Sequence, residues 1–281
     1  MICAWKPLLD LLPQWMRDFV DKQGMNSLQE LRLRVNAPPA LRLNNKTVHM
    51  NRTVTDADLK ACINHVTRYS PWSTSTAQKC YYTASGGHRI GLCGSVVIAD
   101  GKITGMQELT SLCIRVAKDY PGIAQSIADI KGSVLIIGQP GSGKTTFLRD
   151  FIRQISNYRK ENITVIDERQ EIFPFHNGMF CFETGAFTDV LSGCDKESGI
   201  EAALRNTGPA IIALDEITAE NDCKAMLKAG WCGVSLIATA HAGSKQDLMT
   251  RPVYQPLVKS RLFDKLIIMH PDKSWHLEGM M

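Results

Sequence analysis

Four short apolar runs dominate the second half of the chain: SVLIIG (133–138), ITVIDE (163–168), AIIALDE (210–216) and VSLIATA (234–240). They are rich in Val and Ile and separated by helix-length stretches. Strands of that kind are buried on both faces, as parallel strands in α/β layers are. The first part alternates instead. LQELRLRVN (28–36) and ALRLNN interleave apolar residues with Arg or Asn, the mark of half-buried strands. They follow a helical opening. Thr55 to Tyr69 reads as a helix, with Thr55 as cap, Asp56 and Asp58 in its first turn, and Leu59, Ile63 and Val66 on one face. GGHRIGLCGSVVIAD predicts another strand, left at Asp100-Gly101, and SLCIRVA (111–117) its neighbour across a turn. Residues 118–132, punctuated by Pro121-Gly122, read as a hinge. The expected organisation is a small α+β domain over 1–118, then an α/β domain with a largely parallel central sheet over 119–281.

Composition changes this picture little. In 281 residues, 44% are hydrophobic and 21% charged, ordinary for a globular protein. The net charge of +4 is unclustered and gives no clear nucleic-acid signal. Nine cysteines, an odd number without a Cys-x-x-Cys pair, argue against a disulfide framework or a zinc site. They read as small buried hydrophobes in a reducing compartment. Pro7, Asp10, Pro13 and Asp18 interrupt the apolar core a signal peptide needs, and no run is long enough to span a bilayer. The expected location is the cytoplasm, with peripheral docking at a membrane complex left open.

The chemistry lies at the ends of the apolar runs. Gly138-Gln139-Pro140-Gly141-Ser142-Gly143-Lys144-Thr145-Thr146 satisfies G-x-x-x-x-G-K-[ST] between a predicted strand and a predicted helix, the context the P-loop motif requires. Its backbone amides are suited to wrap the phosphates of ATP at the positive end of the helix. Lys144 would reach the β- and γ-phosphates, and Thr145 would place its hydroxyl on Mg²⁺. Asp215 closes a second strand and is the other metal-holding candidate; Glu216 beside it is suited to activate the attacking water. Glu168, at the end of a third strand after Asp167, competes with Glu216 for that role. His241 ends a fourth and is placed to sense or stabilise γ-phosphate charge.

Taken together, these stretches resemble the stage III sporulation protein AA ATPases, themselves similar to the ATPases of type II and type IV secretion. LQELRLRVNAPPALRL, GGHRIGLCG, IIGQPGSGKTTFLRD, VIDERQEI, TDVLSGC, LRNTGPAIIALDEI and GVSLIATAHAGS carry the resemblance, in order and over nearly the whole chain. It implies a RecA-like ATPase domain behind a smaller N-terminal domain. It further implies a hexameric ring and membrane-embedded channel proteins as partners at the boundary between mother cell and forespore. By the same resemblance, residues 138–146 look like Walker A and Asp215-Glu216 like Walker B. Asp167-Glu168 are similar to the acidic box, His241 to the histidine box, and Arg205 to an Arg ahead of the Walker B strand. Departures stand at Phe187, Ala210, Ile217-Thr218 and PWSTSTAQKC (71–80); the first two bear on the rate of hydrolysis.

An arginine is expected to complete the transition-state charge. Arg89, Arg115, Arg169, Arg205, Arg251 and Arg261 are its candidates. Two rival readings are a nucleic-acid-dependent RecA-like ATPase and a nucleotide-gated scaffold with little hydrolysis.

Overall fold

The computed structural model describes residues 1–44, 46–67 and 80–280. Its contacts divide the chain into two units, Met1–Lys118 with Pro174–Phe182, and Asp119–Phe173 with Glu183–Met281. The small excursion at Pro174–Phe182 is a hairpin that the sequence reading did not separate from its surroundings.

The first unit is built on an antiparallel sheet of order β3-β2-β1-β6-β5-β4. Its strands are β1 (Leu28–Arg34), β2 (Ala40–Leu43), β3 (Thr47–His49), β4 (Tyr81–Thr83), β5 (Arg89–Ala99) and β6 (Lys102–Arg115). The alternation in β1 buries Leu28, Leu31 and Leu33 against α1 (Trp5–Asp10), α2 (Gln14–Gln23) and α3 (Asp56–Thr67), in a core shared with Leu8, Met16 and Leu59. The cap read at Thr55 is reciprocal. Its hydroxyl accepts from the Asp58 amide at 3.2 Å, and the Asp58 carboxylate accepts from the Thr55 amide at 2.8 Å. Residues 68–69 of that expected helix, and 71–79 of the PWSTSTAQKC stretch, lie outside the described residues.

The strand expected over 111–117 is longer than its apolar pattern. β6 begins directly after the turn and pairs with β5 from Lys102↔Ala99 to Arg115↔Arg89. Asp100 and Gly101 both take positive φ, 52° and 71°, as a two-residue hairpin turn demands. Backbone pairing, not burial, carries the outer half of this hairpin, where Val96, Val97 and Ile98 remain exposed.

The second unit has a seven-stranded sheet of order β11-β8-β12-β13-β7-β14-β15, parallel except for its last strand. β7 (Val134–Gly138), β8 (Ile163–Asp167), β12 (Ile211–Leu214) and β13 (Ser235–Ala240) are the four apolar runs. β11 (Thr188–Ser192), β14 (Lys265–Met269) and the antiparallel β15 (Trp275–Gly279) complete the sheet, while β9 (Phe175–His176) and β10 (Met179–Phe180) form the separate hairpin. The helices are α4 (Lys144–Arg159), α5 (Lys196–Asn206), α6 (Glu220–Trp231), α7 (Lys245–Thr250) and α8 (Gln255–Lys259).

Helix α4 buries charge as well as apolar surface. Arg149, Asp150 and Arg153 are all sealed from solvent, and so is Asp119. Arg153 forms a forked pair with Asp119 at 2.8 and 2.9 Å, and Arg149 lies 3.5 Å from the same carboxylate. Asp150 accepts from the amides of Gly122 and Ala124 at 3.0 and 2.9 Å. The segment read as a hinge is therefore fastened to α4 from Asp119 onward. The cysteine reading also needs correction: all nine are free, but only Cys62 and Cys223 are buried, whereas Cys93 and Cys232 are exposed. No helix among the described residues is long and apolar enough to cross a membrane.

Asp119→Ala leaves two arginines in the interior without their carboxylate. The expected loss is about 3–5 kcal/mol, read as a drop in denaturant midpoint with the slope unchanged.

Candidate functional site

In a parallel sheet every strand delivers its C-terminal residue to the same edge. β7, β8, β12 and β13 bring the P-loop, Asp167-Glu168, Asp215-Glu216 and His241 to that edge.

The loop after β7 turns sharply into α4. Gly143, just before the helix, has φ of 98°, which a side chain would strain. A Cβ at Gly138 would meet the Ser142 hydroxyl at 2.5 Å and the Met269 carbonyl at 2.8 Å, so only glycine lets the loop lie against β14. The buried Ser142 hydroxyl has no hydrogen-bond partner among the described residues. An orphaned hydroxyl beside the open amides of a helix start suits a phosphate oxygen.

Lys144 is buried, and its ammonium donates to the carbonyls of Gly138 and Gln139 at 2.9 and 3.0 Å and to His241 Nδ1 at 3.1 Å. Burial draws its pKa down, opposed by the nearby Asp215 and Glu216 carboxylates. The lysine contact also settles the His241 tautomer. An ammonium has only protons to give, so Nδ1 accepts and the ring proton sits on Nε2. That nitrogen faces Glu216 Oε1 at 3.2 Å. The result is a directed chain, Lys144 to His241 to Glu216.

Asp215 accepts two hydroxyls, that of Thr145 at 2.6 Å and that of Thr239. Thr239 in turn accepts the Glu216 amide at 2.8 Å. Glu216 is held in the left-handed region, φ 53°, the kind of strain that persists where the surroundings over-determine it. The Thr145 hydroxyl and Asp215 carboxylate are hard oxygen donors side by side and fit a magnesium ion. Among the described residues no cluster of His, Cys, Asp and Glu forms a metal site of the all-protein kind.

The two competing glutamates line one narrow cleft with Asp167, Arg169, Lys196 and Asp215. Their partners differ. Glu216 joins His241 and Arg169, whereas Glu168 is paired with the buried Lys196 at 2.6 Å. Lys196 was not anticipated. A cation in the first turn of α5 opposes the helix dipole, and its tolerance follows from Glu168 and from Asp222 at 3.7 Å. Asp167 serves the backbone: it accepts the amides of Glu171, Ile172 and Phe173 at 2.9, 3.1 and 2.8 Å. Burial pushes its carboxyl up to about 6, against the pull of those amides.

The arginines are scattered. Arg205 lies in the last turn of α5, at the edge where β12 begins, and pairs with Glu201 in solvent at 2.5 Å. Within its own chain it is at the end of the sheet opposite Asp215 and Glu216. Arg251 is forked onto Asp247 at 2.8 and 2.9 Å. In the other unit, Arg89 stacks 4.1 Å over Tyr81 and Arg115 lies 3.9 Å from Glu30. Arg169 meets Glu216 directly.

The sequence model for "Sporulation stage III, protein AA" matches residues 6–280. The chain belongs to that family. It is 33% identical to stage III sporulation protein AA of Bacillus subtilis (strain 168) over 273 residues, covering 92% of this chain and 89% of the relative. Among solved structures it is similar to the ATPase DotB of Legionella pneumophila, with TM-score 0.61, 16% identity and coverage of 95% of this chain and 79% of that one. The pilus retraction motor PilT, solved with bound ADP, gives TM-score 0.59 and 17% identity over 89% and 76% of the two chains. The fold is thus that of P-loop ATPases of this kind: an antiparallel-sheet N-terminal part and a mostly parallel seven-stranded sheet.

Because the raised Asp167 favours its protonated form in the fold, its contribution to stability is full below the ordinary carboxylate range and lost as pH rises through about 6. Asp167→Asn keeps an oxygen for the amides and removes this loss. Denaturant titrations from pH 4 to about 7 should show a flatter profile for the variant, whereas Asp167→Ala should cost about 3 kcal/mol throughout by orphaning buried amides.

Proposed function

We propose that this protein is a Mg²⁺-dependent ATPase that works as a homo-oligomeric ring, hexameric by the family resemblance, and powers or gates a channel complex between mother cell and forespore. The observation that carries the reading is the convergence of Lys144, Thr145, Asp215, Glu216 and His241 on one strand edge, joined by hydrogen bonds. In this reading residues 138–146 hold the phosphates of ATP and Lys144 leaves the loop carbonyls for them. Thr145 and Asp215 hold the magnesium ion, which when bound neutralises phosphate charge. Glu216 orients the attacking water and takes its proton. His241 lies between Lys144 and Glu216, so a change in the lysine's partner reaches the base through a single ring. Each glutamate carries a cation, Lys196 on Glu168 and Arg169 on Glu216; Glu216 has the stronger claim as base because His241 links it to Lys144. The channel proteins are the expected partners, and a peripheral position at that membrane complex follows from them.

One contact favours the scaffold reading. Arg169 engages the Glu216 carboxylate that would serve as base, which suits slow turnover until the pair is broken.

ATP hydrolysis measured against protein concentration tests both. Turnover rising faster than linearly, lost in Lys144→Ala and reduced at least a hundredfold in Glu216→Gln, is the expected result. Nucleotide binding without turnover at every concentration, unchanged by Arg169→Ala, would favour the scaffold instead.

A further inference from the structure

A second lysine reaches the P-loop from the far end of the chain. The turn joining β14 to β15 is pinned at several points. Lys273 donates its amide to the His270 carbonyl at 3.0 Å, and the His270 amide donates to Ser274 at 2.9 Å. Asp272 accepts both the amide and the hydroxyl of Ser274, at 2.9 and 2.6 Å. Trp275 packs edge-on against Phe147 of α4, ring centroids 5.1 Å apart, and Met269 stands beside Gly138 in the β14–β7 ladder. Lys273 itself takes φ of 73°, an uncommon conformation for a side-chain-bearing residue.

That turn lays the Lys273 side chain over the phosphate loop. Its ammonium donates to the Gly141 carbonyl, and its Cδ lies 3.7 Å from where a Cβ of Gly143 would stand. Its charge adds to the effects that lower the Lys144 ammonium, so the two cations share one field. Among the described residues no carboxylate lies within ion-pair distance of Lys273. Two ammonium groups thus rest on the carbonyl oxygens of one loop, a concentration of positive charge suited to an anion.

We propose that Lys273 is a nucleotide-binding residue, a second cation for the phosphates that the loop holds in both nucleoside di- and triphosphates. The inference rests on the ATPase reading and extends it. Lys144 sits at the strand end, where the terminal phosphates belong, whereas Lys273 sits at the outer curve of the loop at Gly141. Its contribution is therefore common to ADP and ATP.

The test is titration of the full chain with ADP and with ATP, each at several salt concentrations, for the wild type, Lys144→Ala, Lys273→Gln and Lys273→Arg. Expected is an affinity loss of about tenfold for both nucleotides in Lys273→Gln, a shallower salt dependence, and substantial recovery in Lys273→Arg. A purely structural role for the turn would leave the salt slope unchanged and overturns the proposal. So does an unaltered ADP affinity, or a loss confined to ATP. If the wild type and Lys144→Ala differ in binding while Lys273→Gln equals the wild type, the inference falls and the ATPase reading stands. If the wild type binds neither nucleotide, the reading falls with it.

Discussion

The second unit depends on a small knot of buried charge beneath the P-loop helix. Asp119, Arg149, Arg153 and Asp150 lie in the interior, where an isolated ion costs several kcal/mol. They are tolerated because each is answered. Asp119 accepts the fork of Arg153 and faces Arg149, while Asp150 accepts two backbone amides. Arg149 also donates to the carbonyls of Glu171, at 2.8 Å, and Ile172, and Asp167 takes the amides of the same turn. Helix α4 is thereby locked to the segment that opens the second unit and to the turn that follows β8. Hydrophobic packing alone would let the helix slide by a fraction of a turn; forked ionic contacts fix its register. The register matters because Lys144 and Thr145 begin that helix.

With α4 fixed, parallel topology does the rest. β7, β8, β12 and β13 end at one edge, so residues far apart in sequence meet without any long loop having to reach. Their hydrogen bonds have direction. Lys144 can only donate, which fixes His241 as acceptor at Nδ1 and donor at Nε2. Thr145 and Thr239 donate to Asp215, and the Glu216 amide donates to Thr239. Asp215 and Glu216 are therefore bound into one network through a single threonine hydroxyl, and the strained backbone of Glu216 is held by it.

What was legible in the sequence followed from the same physics. Buried parallel strands must be apolar throughout, so VLIIG, ITVID, IIAL and SLIATA announce themselves, and the polar residues that end them stand out. KLIIM has the same apolar character but stands outside the four runs read as strands; its five residues become β14. The buried charges were not legible. Arg149, Asp150 and Arg153 occupy helical positions that, by pattern, belong to a solvated face, and only their distant partners explain their burial. Lys196 was hidden for the same reason, since Glu168 and Asp222 come from different elements. Lys273 lies in a turn with no motif, and its meaning depends on β14 pairing with β7. The outer part of β6 was missed because backbone pairing needs no particular side chains. Pattern reports what water avoids; pairing across long separations leaves no local trace.

The arginines sharpen the argument about assembly. Arg205 is paired with Glu201 in solvent at the opposite end of the sheet, Arg251 is forked onto Asp247, and Arg169 is bound to the proposed base. An arginine paired with the base raises the cost of activating water and cannot at the same time neutralise a phosphate. Removing it from Glu216 needs either a competing anion or a movement of the loop after β8. An incoming phosphate group is such an anion, and an arginine such as Arg205 on a neighbouring copy would supply the missing charge. One exposed arginine at that end of the sheet and a base held by another arginine at the opposite end would be of use in a head-to-tail ring of the kind proposed, and not in a monomer.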